Sequence, residues 1–354
     1  MEQRYAVFKM KTKHIIIIVM FAVIVFLGIR QAQSYSYSFS NTIVYTSYLF
    51  PIDDNMFGLG YMRYMNATAG NSKKFRIFDA NGTAISSPIT IMTGSSTSTT
   101  AGQYQITGTA LTNDKVIIAW HDGSGNYLKW AGYYINGTNY KSAVTFETDS
   151  SSNQYTVSVT RLTNSTFILS WWDRGNADAS FMIYQDNGSI ILGETDLDTD
   201  VGGKAESVEC ARLTDTTFAC GWYDSTDGDI TYGVYQDNGT VLLSATDVDT
   251  DVGTTTGAFS MSIDALTTTR VVLGYFDATD GDASVCVYDT SGSAVLNCMD
   301  VDTDVGTSRA VQVRRVTDST FAVVWTDDTD DDISYATLDT AGNYIKAATD
   351  IETG

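Results

Sequence analysis

"RLTDTTFACGWYDSTDGDITYGVYQDNGTVLLSATDVDTDVG", Arg212 to Gly253, has a near copy 51 residues earlier, "RLTNSTFILSWWDRGNADASFMIYQDNGSIILGETDLDTDVG", from Arg161 to Gly202. The pattern returns in "LTTTRVVLGYFDATDGDASVCVYDTSGSAVLNCMDVDTDVG" from Leu266 and in "VTDSTFAVVWTDDTDDDISYATLDTAGNYIKAATDIETG" from Val316. It survives upstream in "LTNDKVIIAWHDGSGNYLKWAGYYINGTNYKSAVTFETD" from Leu111. The most diverged copy is "MFGLGYMRYMNATAGNSKKFRIFDANGTAISSPITIMT" from Met56. A repeat of about 50 residues means a chain of small units that bury their apolar faces on one another.

Each unit reads as four short strands, here A to D. In the fourth copy they fall at Glu206–Leu213, Phe218–Tyr223, Thr231–Tyr235 and Val241–Asp247. Strand A alternates, with Val208 and Cys210 apolar and Ser207 and Glu209 polar, the period of a half-buried strand. Asn-Gly joins C to D at Asn81, Asn136, Asn187 and Asn238. It predicts a two-residue hairpin with both turn residues at positive φ. Innermost strands are expected near Thr42–Tyr48, Tyr104–Leu111, Tyr155–Leu162, Glu206–Leu213, Phe259–Leu266 and Ala310–Val316. Four antiparallel strands per unit, six times over, predict an all-β, six-bladed β-propeller of four-stranded blades. A β-solenoid or sandwich array is the competing architecture. "SYSYSFS" at Ser34–Ser40 is a candidate edge strand on the last blade.

The first 34 residues read differently. Lys11 and Lys13 precede an apolar run, Ile15–Ile29, and the small residues Ala32 and Ser34 follow. That is the order of a secretory signal, with an uncleaved signal anchor as the alternative. The expected division is 1–34 as signal or anchor and 35–354 as propeller. The chain carries −21 formal charges. Loss of residues 1–34 removes five basic residues and one acid and leaves −25. Such a surface repels nucleic acid and anionic lipid headgroups, so any membrane contact is expected only through an uncleaved N-terminal segment. Only His121 remains after residue 34. That excludes a His-clustered zinc site and leaves one candidate for a His-based triad.

Alignment of the copies places Cys210 in a column with Val159 and Ile263, and Cys220 with Leu169 and Leu273. Cys286 shares a column with Ala131, Gly233 and Ala336, and Cys298 with Ala143, Ala245 and Ala348. Each pair occupies neighbouring strands of one blade. The expected disulfides are Cys210–Cys220 and Cys286–Cys298; four buried thiols are the alternative.

In a propeller the B–C and D–A loops share one face. The B–C loops carry Asp224, Asp227 and Asp229, then Asp277, Asp280 and Asp282. "WWDRGNAD" adds Asp173 and Asp178, and "WTDDTDDD" adds Asp327, Asp328, Asp330, Asp331 and Asp332. The D–A motifs add Asp196, Asp198 and Asp200, Asp247, Asp249 and Asp251, and Asp300, Asp302 and Asp304, with Glu147 and Asp149 continuing the series. Clustered hard oxygen donors are candidate Ca2+ ligands. The spacing D-x-D-x-D-x-G is one residue longer than an EF-hand start, and Ala258 stands where that loop needs Glu. Solvated turn-capping aspartates are the alternative. The opposite face carries N-x-S/T sequons at Asn81, Asn136, Asn187 and Asn238, and at Asn164 in an A–B turn; Asn66 lies in a B–C loop. Trp120, Trp171, Trp222, Tyr275 and Trp325 form one column, expected as wedges between blades, with sugar-stacking platforms as the alternative.

"FAVVWTDD…ISYATLDTAG" and "FACGWYDSTDGDITYGVYQDNG" resemble repeats of secreted microbial β-propeller proteins, over roughly Met56–Glu352. The resemblance implies surface adhesion or recognition of a cell-surface protein or glycan, often with Ca2+. Ser225, Asp227 and Thr231 also resemble the Asp box of sialidase-like glycosidases, with Asp229 in place of its Gly and Tyr232 in place of its Trp. The expected function is an exported non-catalytic binding or adhesion propeller. A propeller glycosidase using Asp/Glu carboxylates is the alternative. The central copies stay close to one another, which suits multivalent binding. His121, Arg63 and Glu147 break the pattern early in the chain.

Overall fold

The structure is a computed structural model. It describes residues 44–352 apart from 67–69, 94–105, 123–126, 149–155, 174, 203–206, 254–260, 307–309 and 330–331. The expected signal or anchor, the Ser34–Ser40 edge strand, Asp149, Asp330 and Asp331 lie outside the described residues. No helix among the described residues is long and apolar enough to cross a membrane.

Six four-stranded antiparallel sheets form the blades of a β-propeller, each in simple sequential order. Blade 1 holds β1 (Val44–Asp53), β2 (Met56–Asn66), β3 (Gly70–Asp79) and β4 (Ile89–Thr93). Blade 2 holds β5 (Ile106–Ala110), β6 (Lys115–Asp122), β7 (Tyr127–Tyr134) and β8 (Asn139–Glu147). Blade 3 holds β9 (Val157–Arg161), β10 (Thr166–Asp173), β11 (Asp178–Gln185) and β12 (Ile190–Asp198). Blade 4 holds β13 (Val208–Arg212), β14 (Thr217–Asp224), β15 (Asp229–Gln236) and β16 (Val241–Asp249). Blade 5 holds β17 (Met261–Thr267), β18 (Arg270–Asp277), β19 (Asp282–Asp289) and β20 (Ala294–Asp302). Blade 6 holds β21 (Val311–Thr317), β22 (Thr320–Asp327), β23 (Asp332–Asp339) and β24 (Tyr344–Glu352).

The core lies between blades. Strands B and C are buried on both faces, as in β14 and β15, so they read as apolar runs rather than alternations. Strand D is mostly exposed. Trp130 meets Phe167 edge-on at 4.7 Å and Phe181 meets Phe218 at 5.2 Å, each pair joining consecutive blades. Trp120, Trp171, Trp222, Tyr275 and Trp325 are at most 3% exposed. The aromatic column is therefore a set of inter-blade wedges, not sugar platforms.

Both cysteine pairs are disulfides, Cys210–Cys220 and Cys286–Cys298. Cys210 and Cys220 face one another directly across β13 and β14. Cys286 and Cys298 meet where the β19–β20 ladder shifts register.

Two local expectations are corrected. The C–D hairpins are not two-residue turns with paired positive φ. Only the glycine takes positive φ, for example Gly188 at 95° and Gly239 at 86°, and no asparagine does among the described residues. Gly239 N–H donates to the Gln236 carbonyl at 3.0 Å, and Gln236 N–H to the Thr240 carbonyl at 2.8 Å. This is a type I turn closed by a glycine bulge, the three-residue hairpin. The asparagine is used differently: Asn238 Oδ1 accepts the Thr240 N–H at 2.9 Å, as short Asx side chains do in turns. Secondly, strand D runs further into the acidic motif than its composition suggests. Asp247 and Asp249 both lie on β16, paired with Thr231 and Ile230 across a bulge. The bulge inserts Val248 and re-aims the strand end.

Candidate functional site

The D–A motif and the B–C loops meet on one face, joined by a repeated clasp. Val252 N–H donates to the Gly228 carbonyl of blade 4 at 3.0 Å, and Val252 C=O accepts the Ala278 N–H of blade 5 at 3.0 Å. Val201 does the same between Ala177 and Ser225, and Val305 between Gly281 and Asp328. All three valines are at most 1% exposed. The clasp satisfies loop N–H and C=O groups that burial would otherwise penalise.

The three aspartates of each motif have three different roles. The first ties strands C and D: Asp247 Oδ1 accepts from Thr231 Oγ1 at 2.9 Å, and Asp196 and Asp300 accept from Ser180 and Ser284. The second caps the aromatic wedge of the following blade. Asp198 accepts the Trp222 Nε1–H at 3.3 Å, Asp302 the Trp325 Nε1–H at 2.9 Å, and Asp249 the Tyr275 hydroxyl. The third, Asp200, Asp251 or Asp304, is exposed. Asp200 and Asp304 lie near the Thr226 and Thr329 hydroxyls at 3.5 and 3.4 Å.

In the B–C loops the first aspartate accepts loop N–H groups. Asp224 Oδ1 takes Thr226 N–H at 2.8 Å and Asp277 Oδ1 takes Thr279 N–H at 2.9 Å. It stands opposite the aspartate that begins strand C: Asp224 faces Asp229, Asp277 faces Asp282 and Asp173 faces Asp178. These groups are at most 8% exposed. Burial first, then neighbouring carboxylates, pushes Asp178 and Asp229 up to about 6. Burial and Asp249 push Asp277 up to about 6 against the pull of its loop N–H bonds, and Asp224 and Asp282 are also raised. Asp227 and Asp280 sit exposed at the loop tips.

The sequence-derived aspartates thus share a face but not one pocket. Among the described residues, the carboxylates that converge are Glu147, Asp173 and Glu194, with one oxygen from each within 4.8 Å of the others. Glu147 ends β8, Asp173 ends β10 and Glu194 lies on β12. Gly175 N–H and Asn176 Nδ2 donate to the two Asp173 oxygens at 2.8 and 3.1 Å. Thr148 N–H donates to Glu147 Oε1 at 2.5 Å. Glu194 is exposed as a residue, yet local desolvation and then Glu147 and Asp173 push its carboxyl up to about 7. Sequence reasoning passed over Glu194. The signal was present: it occupies the column of Ala143, Ala245, Cys298 and Ala348.

Elsewhere, Lys73 is buried on β3 and donates to the His121 carbonyl. Burial lowers its amine to about 7, against the pull of Asp122. His121 is buried and its imidazole is lowered to about 3 by burial and Lys73, so it is neutral at pH 7 and packs at the joint of blades 1 and 2. On the inner strands Arg314 Nη1 donates to Ser262 Oγ at 2.9 Å and lies 4.0 Å from Glu209 Oε2. On the opposite face Asn81, Asn136, Asn164, Asn187 and Asn238 are all exposed.

No protein-family model and no curated protein matches the chain. Solved structures do. A Hadza microbial sialidase superposes with a TM-score of 0.53 at 13% identity, covering 83% of this chain and 65% of that one. Prolyl oligopeptidase B from Galerina marginata gives 0.51 at 8% identity, covering 86% of this chain and 41% of that one. A further prolyl endopeptidase gives 0.50 at 11% identity, with 87% and 41% covered. The chain therefore spans about two-fifths to two-thirds of the length of these structures, and the likeness is one of fold.

Proposed function

We propose that the chain is an exported, non-catalytic β-propeller that binds a cell-surface protein or glycan through its acidic face. The observation that carries this reading is the spacing of the exposed carboxylates. Asp200, Asp251 and Asp304 are exposed at the same point of successive blades, with Asp227 and Asp280 beside the first two in the loops. Equivalent groups on a rigid ring offer several copies of one weak contact, and avidity then multiplies them. Their partner is cationic, or is bridged to them by Ca2+. The disulfides and the N-terminal apolar run suit export to an oxidising compartment.

A glycoside hydrolase is the second reading. It is favoured by Glu194, raised to about 7 beside Glu147 and Asp173, since a carboxyl held protonated near neutral pH is suited to act as a general acid. A glycan and surface-binding array alongside a glycosidase screen, each with Ca2+ and with chelator, separates the two. The binder reading expects saturable binding without turnover. Turnover that Glu194→Gln abolishes would replace it with the hydrolase.

A further inference from the structure

The C–D turns hold one backbone N–H in two different ways. In blades 2, 3 and 4 the asparagine does it: Asn136, Asn187 and Asn238 Oδ1 accept the N–H of Thr138, Ser189 and Thr240 at 2.9, 2.8 and 2.9 Å. In blades 5 and 6 an aspartate two residues earlier does it. Asp289 Oδ1 accepts the Ser291 and Ser293 N–H groups at 2.8 and 3.0 Å, and Asp339 Oδ1 accepts those of Ala341 and Asn343, both at 2.9 Å. With the aspartate in place the turn has its side-chain acceptor, and Ser291 and Ala341 stand where the other blades have asparagine.

Blade 1 has both residues. Asp79 Oδ1 accepts the Asn81 N–H at 3.0 Å and the Thr83 N–H at 2.6 Å. Asn81 is exposed, and its side chain makes no hydrogen bond among the described residues. The turn therefore gives no reason for an asparagine at this position. What the four asparagines share is the residue two positions on. Thr83, Thr138, Ser189 and Thr240 all carry a hydroxyl, and all are exposed. The turn does not require that hydroxyl either, since Asn343 fills the same position in blade 6. Asn-Gly-Thr or Asn-Gly-Ser on an exposed turn is an acceptor sequence for N-linked sugar.

We propose that Asn81 is N-glycosylated in the exported chain, and Asn136, Asn187 and Asn238 with it, so that blades 1 to 4 carry sugar on the face opposite the aspartates. The donor is an oligosaccharide on a polyprenyl pyrophosphate. Asn Nδ2 forms a bond to the sugar C1, the C1–O bond to the pyrophosphate breaks, the polyprenyl pyrophosphate leaves, and Nδ2 gives up one proton. Nothing is oxidised or reduced. The linkage leaves the amide oxygen in place, so Oδ1 of Asn136, Asn187 and Asn238 still accepts its turn N–H. Asn187 Nδ2 keeps one hydrogen for Gln185 Oε1, 3.1 Å away on the surface. The modification therefore costs these turns no hydrogen bond. It adds bulk to one face and leaves the exposed carboxylates of the other open to a partner. The proposal rests on export but not on the nature of that partner.

The full chain is isolated from the medium and envelope of its native host and digested. Peptides spanning the four turns are weighed before and after an amidase that releases N-linked glycans. The treatment is done in heavy-oxygen water, so that enzymatic conversion of Asn to Asp carries a label that earlier spontaneous deamidation of Asn-Gly lacks. The expected result is a glycan at Asn81 and at each of the other three turns. Asn81→Ser restores the residue of blade 5, and Thr83→Ala keeps the asparagine but removes the hydroxyl. Each is expected to remove one glycan and to leave the melting temperature of the deglycosylated chain unchanged, since Asp79 holds the turn. Thr240→Ala is expected to remove one glycan while Asn238 Oδ1 keeps its backbone partner. An exported chain with a bare Asn81, or a glycan count that both blade 1 variants leave unaltered, overturns the proposal. A chain recovered only from inside the cell, with bare turns, overturns export and the glycans together.

Discussion

Asp302 shows how much of the acidic motif is structural. Its carboxylate accepts the indole N–H of Trp325, a side chain only 1% exposed, while Asp304 two residues on is exposed. Asp302→Ala is expected to leave that N–H buried without a partner and to cost about 1–3 kcal/mol. Asp302→Asn keeps an acceptor and removes a charge that raises Asp282, so it is expected to be neutral or mildly stabilising at pH 7. Asp304→Ala is expected to change stability by less than about 0.5 kcal/mol. Urea unfolding of the three variants checks this, and equal midpoints for Asp302→Ala and Asp304→Ala would show the cap to be worth nothing. At this scale the sequence shows the acids but not their separate roles. Alternating Asp with a following Gly offers clustered oxygen donors, and alternation on a strand end also sends successive side chains to different neighbours. Nothing in Asp247, Asp249 and Asp251 alone shows that one ties its own blade, the next caps another blade and the third meets solvent. Glu194 was legible, because an acid in an alanine column is visible once the copies are aligned.

Elements were the most legible scale, because each blade serves as a control for the others. The strand order, the inter-blade wedges and both disulfides follow from columns: Cys210 and Cys220 replace Val159 and Leu169 of blade 3 together, and they face one another across β13 and β14. The hairpin geometry did not follow, since Asn-Gly serves both a paired positive-φ turn and the type I turn with a glycine bulge seen here. The cysteine columns also define an experiment that separates packing from cross-linking. Replacing Cys210 and Cys220 by Val and Leu supplies the apolar residues that blade 3 already packs. The bridge closes a short loop, with a sequence separation of 10, so its loss is expected to lower stability by about 2–3 kcal/mol through the unfolded chain. The double variant should then lose part of its sensitivity to reductant, the Cys286–Cys298 bridge supplying the rest. A stability matching the oxidised parent would mean that the bridge contributes no more than the packing it replaces.

For the whole molecule the decisive quantity is the crowding of carboxylates on one face of a chain that already carries −21 charges. Asp178, Asp229 and Asp277 are pushed up to about 6 and Glu194 up to about 7, from ordinary values of 3.8 and 4.5. A carboxyl with a raised folded pKa holds more protons folded than unfolded between those limits. Stability therefore falls as pH rises through that window, here from about 4 to about 7. His121 acts in the opposite sense. Its folded pKa near 3 means that the unfolded chain binds the extra proton up to about 6.5, so this one group raises stability with pH. Lys73, lowered to about 7, acts only above that value. With one histidine set against four strongly raised carboxylates, the net slope is expected to be negative. In EDTA the melting temperature should drop between pH 5 and pH 7.5. At pH 7.5 Ca2+ should recover part of the loss, because a cation bound only by the folded state offsets the same repulsion. The drop should shrink in Glu194→Ala, since that variant removes the most strongly raised of the four groups. A melting temperature that climbs from pH 5 to pH 7.5 in EDTA would show that the acidic face is solvated well enough to ionise without penalty.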